Sequence, residues 1–398
     1  MKSFPLINFL GIFSIQFNQA TPVNLLNFME QEVPEKFIKT IYSPSASIES
    51  IADAIQGLIK VPIYHKKYLA MDLFSLELVE RLMDLLDLTD NIDIEPHKSC
   101  HILIIKVLYK FPTLLKKKEP VLVLRKMLEY IDQPSRDPKL LKWAFKIINS
   151  TTAADGCANF VPLLREKFGI VKKIVSFFDI PFLAAPACLF VGNMMSDNDD
   201  LPLLILSETD YLDKITAIIR NSDNKKLVCD ICFDVSNITS GAMKHIEMVV
   251  YHDVFSELIA LAKSGRTETR KEAGSAVANT TKHPGVPLIK KLMELGIVEL
   301  LCELMACVEL EMYDLCLHAL YLLVTNIEGE VDGETVIYNP VAIRIGECGG
   351  IETIKEGSEN CEDPISEEFY KILMEVHLGT RYEEYLARKR GLKLKRAA

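Results

Sequence analysis

The sequence is short of the residues that punctuate β-structure. Of its 398 residues only 18 are Gly and 18 Pro, whereas a strand-and-turn protein needs a breaker roughly every 8–12 residues. Long apolar runs are missing too. No stretch holds 18 consecutive apolar residues, so no membrane-spanning helix and no membrane insertion are expected. Positive charge is in deficit: 45 Lys and Arg against 55 Asp and Glu leave a net charge of -10. That balance argues against nucleic acid as a partner, because phosphate binding needs a basic surface. It is compatible with a cationic ligand. No G-x-S-x-G, H-E-x-x-H or Walker motif is present, so neither catalysis nor a cofactor is expected. The apolar segment from Phe4 to Phe13 is interrupted by Pro5 and Asn8, and Ala20 is not part of an A-x-A site, which argues against a signal peptide.

What is present is a chain 49% hydrophobic, far too apolar to stay disordered. Ten cysteines are scattered along it, and Cys188, Cys232, Cys302 and Cys316 sit inside apolar helical patterns. They read as reduced, buried thiols rather than a disulfide framework. Cys229-x-x-Cys232 has no second pair at finger spacing, and Asp197 to Asp200 is followed by Pro202 where a calcium loop needs Gly, so no metal site is expected.

Internal repetition decides the reading. Gly169-Ile170-Val171 and Gly296-Ile297-Val298 are expected to stop one helix and open the next. Asp210-Tyr211-Leu212 and Asp253-Val254-Phe255 occupy the same slot between them. The starts at 169, 210, 253 and 296 lie 41, 43 and 43 residues apart. Asn193, Asn237 and Asn279 give a second register, spaced 44 and 42. A period of roughly 40–47 residues without strand patterning predicts two or three helices per repeat, the armadillo/HEAT class, in which stacked units bury what one unit cannot. In the segment from Arg270 to Thr281, helical spacing turns Ala273, Ala276 and Val277 to the core and Glu272, Ser275 and Asn279 to the opposite, groove-forming side. Asn is a poor helix-interior residue, so its recurrence at one repeat position needs a reason.

These third helices resemble those of importin-alpha (karyopherin-alpha), whose groove helix reads E-A-C-W-x-[IV]-S-N-[IA]-[TS]. Here the pattern stands as Asp230-Ile231-Cys232-Phe233-Asp234-Val235-Ser236-Asn237-Ile238-Thr239, and again as Glu272-Ala273-Gly274-Ser275-Ala276-Val277-Ala278-Asn279-Thr280-Thr281. Pro186 to Met194 is similar to the family's P-A-L-R-A-V-G-N-I unit, and Ile345 to Ile354 to its I-E-E-A-G-G-L-D-K-I. Glu368 to Leu373 matches its closing helix, and an insert falls at Gly329 to Asn339 as in the family. The resemblance is strongest over residues 180–379. It implies an all-α, right-handed superhelical solenoid of about 8–9 armadillo repeats of roughly 42 residues. Residues 1–40 would be a degenerate N-terminal repeat or cap, 41–379 the solenoid and 380–398 a basic tail.

It also implies an adaptor for nuclear import, shuttling between cytoplasm and nucleus. Cargo proteins would dock their Lys/Arg-rich localization signals in the groove, chiefly at the C-terminal, minor site. Importin-beta and a nuclear export receptor for recycling would be the further partners. On the family pattern Asn193, Asn237 and Asn279 would hold the signal backbone. Phe233 would replace a tryptophan along a lysine stem, and Asp199, Asp230 and Glu272 would receive basic side chains. Trp143 fits an earlier groove slot.

The chain departs from the pattern in several places. Leu189 and Ser275 hold tryptophan slots, Trp143 is followed four residues on by Ile147, and the preceding slots fall near Ile105/Tyr109 and Asp53/Gly57. The principal signal site is therefore expected to be eroded. The family's basic importin-beta-binding segment has no counterpart before Lys36, where Lys2 is the only basic residue. Instead Arg388, Lys389, Arg390, Lys393, Lys395 and Arg396 make the C-terminus basic. This tail would serve as an autoinhibitory pseudo-signal or as a partner contact. The alternative function is an armadillo scaffold that has lost transport.

Overall fold

The computed structural model describes residues 33–60, 76–89, 95–110, 120–132, 138–153, 158–195, 200–307, 309, 311–327, 330–332, 336–360 and 364–373. They fall into two compact units divided between Asn193 and Met194. The first holds helices α1 (Val33–Tyr42), α2 (Ile48–Lys60), α3 (Leu76–Thr89), α4 (His97–Lys110), α5 (Pro120–Asp132) and α6 (Pro138–Thr152). After these come α7 (Val161–Glu166), α8 (Phe168–Ser176) and α9 (Pro181–Met194). Helices pack on their equivalents one repeat away: α2 on α4 and α4 on α6, and separately α1 on α3 and α5 on α8.

The second unit is a run of helix triads. They are α10 (Asp200–Glu208), α11 (Tyr211–Asn221), α12 (Lys225–Thr239); α13 (Met243–Val250), α14 (Asp253–Ser264), α15 (Thr267–Asn279); α16 (Val286–Glu294), α17 (Ile297–Met305), α18 (Tyr313–Thr325); and α19 (Pro340–Glu347), α20 (Gly350–Asn360), α21 (Pro364–Ile372). The third helices α12, α15 and α18 stack in one row and the second helices α11, α14, α17 and α20 in another. In α14 the apolar residues Val254, Phe255, Leu258, Ile259 and Ala262 recur at helical spacing and are buried, the pattern of one core-facing stripe. Emptying one such position, Phe255→Ala, would cost about 3–5 kcal/mol in transfer and cavity terms.

Helix ends are set locally. Asn224 caps α12 by accepting from Leu227 N at 3.2 Å. His252 Nδ1 caps α14 by accepting from Val254 N at 3.1 Å. Asn339 Oδ1 accepts from Val341 N and Ala342 N, both at 3.0 Å, at the start of α19. Gly296, at φ 73° and ψ 31°, makes the corner into α17 in the left-handed region, where a side chain is strained. Gly169 behaves otherwise. The corner falls on Lys167 (φ −98°, ψ 23°), and Gly169 lies in the first turn of α8, so the two Gly-Ile-Val motifs are not structurally equivalent. The expected insert holds a small antiparallel hairpin, β1 (Glu330–Asp332) and β2 (Val336–Tyr338), with Val331 paired to Ile337. Among the described residues these strands are the exception to the all-helical expectation.

Side-chain bridges repeat at the same interval. Arg125 grips Glu166, 41 residues on, through Nη1–Oε1 at 2.6 Å and Nη2–Oε2 at 3.0 Å. Arg220 Nε meets Glu257 Oε1 at 2.7 Å, and Arg344 pairs with Glu299. These partners are partly or wholly solvent-exposed, and ion pairs in that setting add little to stability. No helix among the described residues is long and apolar enough to cross a membrane.

Candidate functional site

The expected groove residues of the second unit lie on α12 and α15, which pack along each other. At about 100° per residue, Phe233, Asn237, Asp230 and Asp234 fall within one arc of roughly 100° on α12. Beyond the Asp234 edge of that arc the helix turns to the core, and Ile238, Ile231 and Val235 follow in order round the helix, all fully buried. Phe233 is 51% exposed, presenting its ring to solvent. Asn237 is half-buried, and its amide has no hydrogen-bond partner among the described residues. Asp230 pairs with Lys226, one turn back, at 3.3 Å. On α15, Ala273, Ala276 and Val277 are fully buried, while Glu272, Ser275 and Asn279 are half-buried on the other side.

The two helices are stitched together by Asn279, whose Nδ2 donates to the carbonyl of Ser236 at 3.0 Å. Cys229 lies in the same seam. Burial pushes its thiol up, a hydrogen bond with Thr269 opposes that, and Glu272, Asp230 and Glu268 add to the rise. Burial also raises the Glu272 carboxyl, against the pull of Lys271. The arrangement joins an exposed aromatic face, an unengaged amide and a negative rim. An amide both donates and accepts, as the backbone of an extended peptide does, and an aromatic face with carboxylates beside it suits a Lys or Arg side chain.

In the first unit, Asn193 Nδ2 donates to Thr152 Oγ1, 41 residues before it, at 3.0 Å. This is an inter-repeat bond of the kind Asn279 makes. Leu189, in a tryptophan slot of α9, is 48% exposed, so the slot faces outward without an aromatic. Trp143 is half-buried on α6, and Ile147, four residues on, is fully buried. Ile105 is likewise a core residue. Gly57 is buried against the Phe37 ring, whose Cζ lies 2.4 Å from where a Cβ would be. The earlier slots therefore present no amide ladder at these positions. Asp199 and the basic tail Arg388 to Arg396 lie outside the described residues.

Sequence reasoning passed over Asp234. It occupies the variable position of the helix motif, yet it is 6% exposed and has no hydrogen-bond partner among the described residues. Burial holds its carboxyl well above the usual carboxylate range, and the charge of Asp230 adds to the rise. The available signal was its i,i+4 spacing from Asp230 on the Asn237 face.

No family model matches the chain. Importin subunit alpha-8 of Arabidopsis thaliana is 28% identical over 209 residues, 52% of this chain and 47% of that protein. An engineered protein of known structure superposes with a TM-score of 0.65 at 19% identity, covering 86% of this chain and 77% of its own. A designed armadillo repeat protein in complex with the peptide (KR)4 superposes with a TM-score of 0.51 at 19% identity, covering 63% of this chain and 98% of its own. The fold is that of an armadillo-repeat solenoid. The sequence is similar to importin alpha subunits, and the chain spans about half the length or less of the curated relatives it matches. The helix triads and their stacking by rows are what this class of repeat builds.

Proposed function

We propose that this armadillo protein is a nuclear-import adaptor that binds extended Lys/Arg-rich signals on the α12–α15 surface. It would link such cargo to importin-beta, be recycled by a nuclear export receptor, and shuttle between cytoplasm and nucleus. The observation that carries the reading is the unengaged Asn237 amide beside the exposed Phe233 ring, rimmed by Asp230 and Glu272. Two likenesses support it: the match to an importin alpha subunit and the fold shared with a designed armadillo repeat protein in complex with the peptide (KR)4. Backbone bonding by Asn279 would extend the contact, with Asp199 as a further candidate ligand, while Asn193 and Trp143 are candidate signal ligands of the first unit taken by itself. The basic tail, Arg388 to Arg396, would compete for the same surface.

The test is anisotropy of a labelled bipartite Lys/Arg peptide titrated into the full chain and into a variant ending at Leu378. Tighter binding to the shortened chain is the expected result. Absence of binding to both would overturn the reading.

A second reading, an interaction scaffold without transport, draws on the burial of Ile147 and Ile105 in positions where the family's groove is read. It is decided by importin-beta capture: retention of importin-beta from purified components excludes the scaffold, and no retention favours it.

A further inference from the structure

Away from the α12–α15 surface, two cysteines with no part in peptide binding meet where the last two helix triads join. Cys302 lies on α17 and is 5% exposed. Cys348 closes the C-terminal end of α19 and is exposed. They are about one repeat apart in sequence, and come together because α17 packs on both α19 and α20.

The backbone between α19 and α20 makes the meeting possible. Gly349, at φ 79°, turns the chain in the left-handed region, and Gly350 then opens α20. A Cβ on Gly350 would stand 2.5 Å from Cys302 Sγ and 3.2 Å from the Ile345 carbonyl oxygen. That same carbonyl accepts from Cys348 Sγ at 3.4 Å. The buried sulfur thus fills the space a side chain would need, and the two thiols hydrogen-bond to each other.

The two sulfurs are unequal. The bond from Cys302 holds the Cys348 thiol below its ordinary range, burial opposes this, and the Gly350 N–H reinforces it. The Arg344 guanidinium, in the last turn of α19, feels the charge of the same sulfur. Cys302 goes the other way: its bond with Cys348 and its burial push its thiol up. One sulfur is therefore accessible and inclined to the thiolate, the form that peroxides oxidise. The other is kept from solvent beside it. The importin-alpha segment that this corner resembles, I-E-E-A-G-G-L-D-K-I, has Ala where Cys348 stands, so the thiol pair lies outside that pattern.

We propose that Cys348 and Cys302 form a peroxide-responsive dithiol, in which Cys348 takes the oxidant and Cys302 resolves it as an intramolecular disulfide. The Cys348 thiolate attacks one oxygen of hydrogen peroxide. The O–O bond breaks, Cys348 becomes a sulfenic acid, and the departing hydroxide takes up a proton to give water. The Cys302 sulfur then attacks the sulfenic sulfur. The S–O bond breaks, and the hydroxyl leaves with the Cys302 proton as a second water. The two thiols lose two electrons and peroxide gains them. The link would staple α17 to the α19–α20 corner, a junction that packing and the Arg344–Glu299 pair already hold.

The test uses the full chain, reduced and then treated with hydrogen peroxide from one equivalent upward. Free thiols are alkylated with iodoacetamide, and unreduced peptides are mapped by mass spectrometry. The expected product joins the Cys302 and Cys348 peptides and is reversed by dithiothreitol. It should form roughly tenfold faster than Cys232 or Cys316 is oxidised. Cys302→Ala should stop at a sulfenic acid on Cys348, trapped by dimedone, and Cys348→Ser should leave Cys302 as a free thiol. Absence of the joined peptide in wild type, whatever else Cys348 becomes, overturns the proposal. So does a link from Cys302 to Cys316, or from Cys348 to a second chain. The wild-type map needs no variant, so it decides even if one of them fails to fold.

Discussion

Asn279 reaches back across one repeat to donate its Nδ2 to the Ser236 carbonyl at 3.0 Å, while Asn237, in the same place on the preceding third helix, makes no such bond. Two residues that are equivalent in the repeat therefore have different roles in holding the fold. Asn279→Ala should lower stability by about 1 kcal/mol, the worth of a typical internal hydrogen bond. Asn237→Ala should leave the melting temperature unchanged. Both should weaken a basic peptide, and the double variant by at least tenfold. Melting curves and anisotropy on the same preparations check both halves. Equal loss of stability in the two variants would contradict the assignment.

Phe233 presents its ring to solvent, so its removal should cost binding rather than stability. Phe233→Ala should reduce affinity for a Lys/Arg peptide by roughly 2- to 5-fold, corresponding to about 0.5–1 kcal/mol for an exposed cation–π contact. Phe233→Trp should raise it. A melting temperature within a degree of wild type in both would separate the effect from folding.

Gly296 and Gly169 provide a contrast between two motifs of identical sequence. A Cβ at either position meets nothing closer than 3.8 Å, so only the backbone distinguishes them. Gly296→Ala should cost about 1–2 kcal/mol for a side chain in the left-handed region, measured by urea unfolding. Gly169→Ala, inside the first turn of α8, should be neutral or stabilising by about 0.5 kcal/mol.

The carboxyl of Asp234 titrates above its usual range because it is buried, with Asp230 adding to the rise. The fold thus favours its protonated form. The stability this confers is complete below the unfolded carboxylate value of about 3.9 and is lost as pH rises through the raised folded value. Asp234→Asn escapes that loss. Its melting temperature should exceed that of wild type most at pH 8 and converge with it near pH 4. An advantage that grew on acidification would have the wrong sign.

Among the described cysteines, Cys348 should react first with iodoacetamide. It is exposed, and a hydrogen bond from Cys302 draws its thiol down to about 7, whereas burial pushes Cys232 and Cys316 up to about 12. Alkylation followed by mass spectrometry should show a rate midpoint near that pH. Cys302→Ala should move the midpoint upward.

The repeat was legible because its signals are local and recur. Apolar stripes such as that of α14, and Asn at a fixed interval, survive divergence since every repeat must bury the same face. The corner glycines were only half legible: Gly-Ile-Val at 169 and 296 look alike, and the left-handed turn at 296 is chosen by how α16 meets α17, which no single residue encodes. Phe233 could be placed outward from Asn237 four residues on. Asp234 could not be read in the same way. A charge on an otherwise amphipathic helix reads as solvated, and its burial arises from neighbours contributed by other elements. Ile105 fell into a presumed groove slot because helical phase drifts when extrapolated across repeats of unequal length.

The side-chain ties of the second unit, Arg220 to Glu257, Asn279 to Ser236, Arg344 to Glu299, each join a residue to one about a repeat away and to nothing farther. Held by its ends and pulled, such an assembly carries the load in series. The weakest interface yields first, and the others keep their grip until their own turn. Each rupture would release about 150 Å of chain, the reach of one extended repeat, so the unit would lengthen in steps and act as a spring that gives way piecemeal instead of snapping.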